Sequence, residues 1–259
     1  AQLYEMGIDI SPAQLNNILI QNKERFHLEK EDVLDAGLKH SDFLNADDTT
    51  ARHNGKNGYC TALGSPLFSY FESTASKSRV NFLQILQGSQ ELYSINEECL
   101  NYAFEKEMRD RSLDKLERFE GRQFRSRAAW NAFLEKQEIE SENDCRIATE
   151  AALIGGLIKI GFNLNFLPII SDAAPQFALF LNGLCWVHEE RHYRKLIPIS
   201  ESEREEIGKV RSEIWDFYES LKKYRLQPNL AEQTPLSKHF DEVFDKKYKS
   251  ETLNALLAN

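Results

Sequence analysis

The sequence predicts an α/β protein: a small sheet with long helical stretches before it, inside it and after it. Three observations carry this. Three short apolar segments between residues 43 and 72 are separated by clusters of turn-forming residues. A later Ile-containing run, Leu167-Pro-Ile-Ile-Ser-Asp172, reads as one further buried strand ending in a carboxylate. Most of the remaining chain repeats its apolar residues at helical spacing.

The elements follow in order. Ser11-Pro12 is a helix start, with Ser as cap and Pro in the first turn. Leu15, Ile18, Leu19, Asn22 and Phe26 continue at helical spacing, and the helix is expected to run to about Gly37. Strands are expected over 43–47, 58–63 and 67–72, as an antiparallel meander. The cluster from Arg52 to Gly58, with its two Asn-Gly pairs, and Gly64-Ser65-Pro66 form its turns. Val80, Leu83 and Leu86 mark a helix over 76–86. Residues 91–162 read as mostly helical, divided by the charged stretch Arg109 to Arg127, the best candidate for a mobile or exposed connection. The strand at 166–171 comes next. A helix with Pro175 in its first turn should then place Phe177, Leu181, Leu184, Cys185 and His188 on one face. Ser200 with Glu203 is a capping box for a long helix. Its stripe Ile207, Val210, Ile214, Phe217, Leu221 and Tyr224 has the spacing of helix-on-helix packing. Gln227-Pro228-Asn229 ends it, and two short helices follow.

Composition sets outer limits. The chain has 259 residues and a net charge of −9, which argues against a surface that grips nucleic acid everywhere but leaves a local basic groove open. The four cysteines, Cys60, Cys99, Cys145 and Cys185, form no CxxC pair, so reduced cytosolic thiols rather than a zinc site are expected. No apolar run is long enough for a membrane span, so no membrane association is expected.

Strand, strand, strand, helix, helical insertion, strand, helix is the ribonuclease H-like order. In that arrangement the first and fourth strands are adjacent and parallel. Asp47 and Asp172 would then be neighbours, and two close carboxylates repel unless a divalent cation lies between them. The division expected is a helical lead-in over 1–40, a ribonuclease H-like core over 41–90 plus 163–198, a helical insertion over 91–162 and a helical extension over 199–259.

Five segments in order are similar to bacterial insertion-sequence transposases of the insertion-sequence-sixty-six type: Asp47 to Cys60, Ser73 to Arg79, Arg146 to Gly155, Ile170 to Phe177, and Cys185-Trp-Val-His188-Glu-Glu-Arg191. The resemblance implies an Asp-Asp-Glu triad, two divalent metals (Mg²⁺ or Mn²⁺), DNA cleavage at element ends, strand transfer, homo-oligomers and a place on the bacterial nucleoid in the cytoplasm. Asp47 matches the first triad Asp, with Asp48 as the alternative, and Asp172 matches the second. The family's third acid, which follows an Asn-rich segment, has no match in these residues. The N-terminal DNA-binding region also has none, so the chain reads as a catalytic-core fragment. Arg52, His53 and Lys56 in the hairpin and Arg191, Arg194 and Lys195 after the second Asp are the candidate DNA contacts. Arg118, Arg122, Arg125 and Arg127 read as a solvated face. Cys185 and His188 are expected to brace the helix behind Asp172. The alternatives are a general nuclease of the same fold and an inactive remnant or helical interaction module associating through the 207–224 stripe.

Overall fold

A computed structural model describes residues 5–53, 55–162, 167–179 and 181–258. The lead-in is two helices, α1 (Pro12–Ile20) and α2 (Glu24–His40). Ser11 caps α1 in a full capping box with Gln14. The single helix expected here is broken at Asn22, which takes a positive φ of 54°. Asn tolerates that left-handed geometry because its short amide bonds locally.

The meander forms as expected, with longer strands: β1 (Leu44–His53), β2 (Lys56–Ser65) and β3 (Phe68–Thr74). His53 pairs with Lys56 at the end of the hairpin, with Gly55 at φ 74°. Asn57-Gly58, the second turn signal, lies inside β2. After α3 (Arg79–Gln87) come β4 (Tyr93–Ser94), α4 (Glu97–Glu105), α5 (Asp110–Glu117), β5 (Gln123–Phe124), α6 (Arg127–Lys136) and α7 (Glu142–Lys159). The charged stretch 109–127 is therefore not a loose connection. Leu113, Leu116 and Phe124 are buried in the core, and Arg122 lies over the rings of Phe119, Phe124 and Phe133.

β6 (Ile169–Ser171) pairs with β1 in parallel, Leu44 with Ile169 and Asn45 with Ile170. With β7 (Asn182–Leu184) the sheet order is β3-β2-β1-β6-β7. One sheet face, carrying Leu44, Ala46, Leu63, Tyr70 and Ile169, is buried. It joins residues of α2, α3 and α7 in one hydrophobic cluster that also takes in the 91–162 segment. Two glycines let α7 approach closely. A Cβ on Gly155 would stand 2.3 Å from Ser94 O, and one on Gly156 1.9 Å from Leu92 O. Gln87 locks the contact: its amide donates to Leu92 O and Leu153 O and accepts from Leu92 N.

The helix expected from Pro175 to His188 does not form. Residues 175–177 make a turn and the chain re-enters the sheet as β7. Phe177 leaves the expected helix face and packs edge-on against Phe82, with ring centroids 4.9 Å apart. The Asn182 amide lies within hydrogen-bond distance of Ile169 O, Ser171 Oγ and Phe177 O. An Asn side chain that satisfies backbone carbonyls this way competes with helix formation.

Residues 1–183 and 184–259 form two compact units. The second contains α8 (Trp186–Arg194), α9 (Glu201–Leu226), α10 (Leu230–Phe244) and α11 (Glu251–Leu257). Ser200 caps α9, but Glu203 accepts from Ile199 N in place of the return bond of a capping box. Ile207, Val210 and Ile214 are buried with Tyr193, Val243 and Leu253.

Candidate active site at the ends of the parallel strands

Alternation along β1 separates the two adjacent aspartates. Leu44, Ala46 and Asp48 point to the core face; Asn45, Asp47 and Thr49 point to the other. Asp47 is exposed, and no hydrogen bond or ion pair ties its carboxylate to another described residue. The parallel pairing, continued two positions past Asn45 and Ile170, brings Asp47 level with Asp172. Adjacent strands lie about 4.8 Å apart, so these backbone positions are neighbours.

Asp172 follows the last residue of β6 and is half-buried. One carboxylate oxygen, Oδ1, accepts from Ala174 N at 3.1 Å. That bond shapes the local turn and uses one of its two oxygens.

Asp48 faces inward and is fully engaged. Oδ1 accepts from the buried Thr61 hydroxyl, and Oδ2 accepts from Gln176 Nε2 at 2.8 Å. The side chain thus ties β1 to the loop after Asp172. Lys77, just before α3, donates to Asp48 O at 3.3 Å and lies over the Tyr59 ring.

Behind the loop is a buried ionic network. Glu150, on α7, has a side chain only 4% exposed. It accepts from Tyr102 Oη at 2.8 Å, Arg79 Nη1 at 3.3 Å and Arg146 Nη1 at 3.1 Å. The other Arg79 terminus, Nη2, donates to Pro175 O. Burial, then the Glu150 charge, raises the Tyr102 phenol well above its ordinary value, so it stays protonated and donates. A buried carboxylate needs this kind of compensation, since desolvation otherwise outweighs what a single pair returns.

The basic candidates are placed as follows. Arg52 and Lys56 are exposed at the tip of the β1–β2 hairpin; the His53 side chain lies outside the described residues. The tip is five positions beyond Asp47, roughly 16 Å along an extended strand, so the hairpin cluster does not sit beside the aspartate. Arg191, Arg194 and Lys195 are exposed at the end of α8, in the second unit. Cys185 and His188 belong to that unit too, as N-cap and first-turn residue of α8. They do not brace a helix leading out of Asp172, because that helix is absent. His188 Nδ1 is buried with no hydrogen-bond partner among the described residues.

Among the described residues, no group of three or more His, Cys, Asp or Glu could hold a metal ion. The donor set where β1 and β6 run side by side is two carboxylates, Asp47 and Asp172. That suits one Mg²⁺, which takes few protein ligands and fills its shell with water and substrate phosphate. It does not make a two-metal site.

Sequence reasoning gave no role to Thr61, Arg79, Tyr102, Glu150 or Gln176. Arg146 and Glu150 are four apart on a helix, a readable ion-pair spacing. Nothing in the sequence links residue 79 to residue 150, or residue 48 to residue 176.

The fold and site define a mixed-sheet α/β protein with Asp172 just past the end of β6 and Asp47 level with it within the adjacent parallel strand β1. The chain belongs to the family of the uncharacterized protein y4jO of Sinorhizobium fredii, with which it is 32% identical over 228 residues, 87% of this chain and 71% of that relative. No family model and no solved structure matches it.

Proposed function

We propose that this chain carries the ribonuclease H-like catalytic core of a DNA transposase, acting in metal-dependent strand cleavage and strand transfer. The observation that carries the reading is the parallel pairing of β1 with β6, which sets Asp47 level with Asp172. The sheet order β3-β2-β1-β6-β7, with an antiparallel meander first, supports the same fold reading. So does the order of the five sequence segments that resemble transposases.

In this reading Asp47 and Asp172 hold the divalent cation, and Asp48 positions. Asp47 has a free, solvated carboxylate, whereas Asp48 is spent on Thr61 and Gln176. A cation bound there would neutralise charge on a DNA phosphate and activate an attacking hydroxyl. The third acid that the resemblance implies has no match in these residues, so strand cleavage needs a further carboxylate. Arg52, Lys56, Arg191, Arg194 and Lys195 are exposed cations suited to phosphate; DNA ends and target DNA are the proposed partners.

The test is Mn²⁺ calorimetry at low salt on the chain and on Asp47→Asn, Asp48→Asn and Asp172→Asn. Binding lost in the first and third variants, and weakened but measurable in the second, is the expected result. Equal binding in all four chains would overturn the assignment.

A further inference from the structure

We propose that Arg79 is a positioning residue: a half-buried, two-ended clamp that fixes the Asp172 loop against the body of the first unit. Its link to metal binding rests on the reading of Asp172 given above; the clamp itself rests on geometry.

The loop from Asp172 to Gln176 is irregular, and its own bonds are mostly local. Ser171 Oγ donates to Asp172 O, Ala174 N to Asp172 Oδ1, and Phe177 N to Ala174 O. Such bonds shape the loop but move with it. Among the described residues, two hydrogen bonds tie residues 172–176 to distant elements. One runs from Gln176 to Asp48 on β1. The other runs from Arg79 Nη2 to Pro175 O. Each has one charged partner, and the second is backed from behind by a buried carboxylate. Arg79 is the first residue of α3, whose N-cap Ser78 accepts from Asn81 N, so its backbone is fixed. Its Nη1 is held by Tyr102 Oη at 3.1 Å and by Glu150. Glu150 is held in turn by Arg146.

The chemistry requires arginine. A guanidinium has two termini diverging in one rigid plane, so it can bond a buried carboxylate and a backbone carbonyl at once; an ammonium is a single point. Arg79 Nε is buried with no hydrogen-bond partner among the described residues. The side chain is therefore held by its two ends, with its middle left unsatisfied. The bonded carbonyl lies three residues past Asp172 and one before Gln176, so the clamp sets where the Asp172 carboxylate stands relative to β1 and Asp47.

The experiment uses the full chain, with Arg79→Gln, Arg79→Lys and the control Val210→Ala, which perturbs the separate cluster of the second unit. Two quantities are read: amide hydrogen exchange over 167–177, and Mn²⁺ affinity by calorimetry. Arg79→Gln should quicken exchange in the loop by about tenfold or more. It should also weaken Mn²⁺ by about 10–100-fold, the usual effect of losing a group that orients a ligand. Arg79→Lys should fail to restore either, and the control should leave both unchanged. Loop exchange in Arg79→Gln no faster than in the control would overturn the clamp. Wild-type exchange in Arg79→Lys would overturn the requirement for two ends. Quickened exchange in a chain whose wild type binds no Mn²⁺ would leave the clamp standing and remove the metal reading of Asp172.

Discussion

Asp47 and Asp48 are adjacent in sequence and opposite in environment, and the difference is measurable without any assay of function. Asp47→Ala removes an exposed carboxylate with no partner among the described residues and should change stability by no more than about 0.5 kcal/mol. Asp48→Ala strands the buried Thr61 hydroxyl and the buried Gln176 amide, and should cost about 1–3 kcal/mol. Urea unfolding of the two variants checks both values. Asp144 gives the pH dependence. Burial alone would raise its pKa, but hydrogen bonds from Ser112 and Arg109 outweigh that and hold it below the ordinary carboxylate range. A depressed folded pKa contributes stability that is present above the unfolded value, near pH 4, and lost as pH falls through the folded value. Asp144→Asn should therefore flatten the acid limb of a stability-versus-pH curve below about pH 4 and lower stability at pH 7 by about 1.5–3 kcal/mol.

Among the elements, α7 shows most clearly how sequence becomes packing. Its Gly155-Gly156 pair weakens an isolated helix but admits the β4 backbone to distances no Cβ allows. Gly156→Ala should cost at least about 1–3 kcal/mol, read as a lower urea midpoint with an unchanged slope. The element misread from sequence is the one after Asp172. Pro175 and the spacing of Phe177, Leu181, Leu184 and His188 satisfy a helix template, yet Asn182-Gly183 in the middle is a turn signal. In the structure the turn falls at 175–177 and Asn182-Gly183 open β7, where the Asn182 amide lies within hydrogen-bond distance of Ile169 O, Ser171 Oγ and Phe177 O. Of the 207–224 stripe, Ile207, Val210, Ile214 and Phe217 are buried, whereas Leu221 and Tyr224 are half-buried. Ile207, Val210 and Ile214 are buried against residues of α8, α10 and α11, so these side chains are not left over for association with a second chain.

For the molecule as a whole, ligand binding and stability are linked. If Asp47 and Asp172 hold Mn²⁺, a cation concentration 100-fold above Kd should add about 2.7 kcal/mol to the stability of the first unit. Thermal unfolding of the wild type should shift upward with Mn²⁺, while Asp172→Asn should not; a shift of equal size in both would place the cation elsewhere. The net charge of −9 makes non-specific cation binding the competing effect, and moderate salt suppresses that by screening. Among the described residues, no helix is long and apolar enough to cross a membrane.

The sequence by itself determined the α/β class, the meander, the positions of most helices and the strand that ends at Asp172. These are local matters: turn chemistry, capping and the period of apolar residues suffice to write them. It also singled out Asp47 and Asp172 as a pair, because strand order constrains which strand ends can meet. Only the tertiary structure decided which face each aspartate takes, since that depends on the register of β1 against β2 and β6. It alone brought Arg79, Glu150 and Pro175 together across 71 and 96 positions of chain. No periodicity encodes such contacts; they exist because a buried charge must find its partners wherever the packed elements place them.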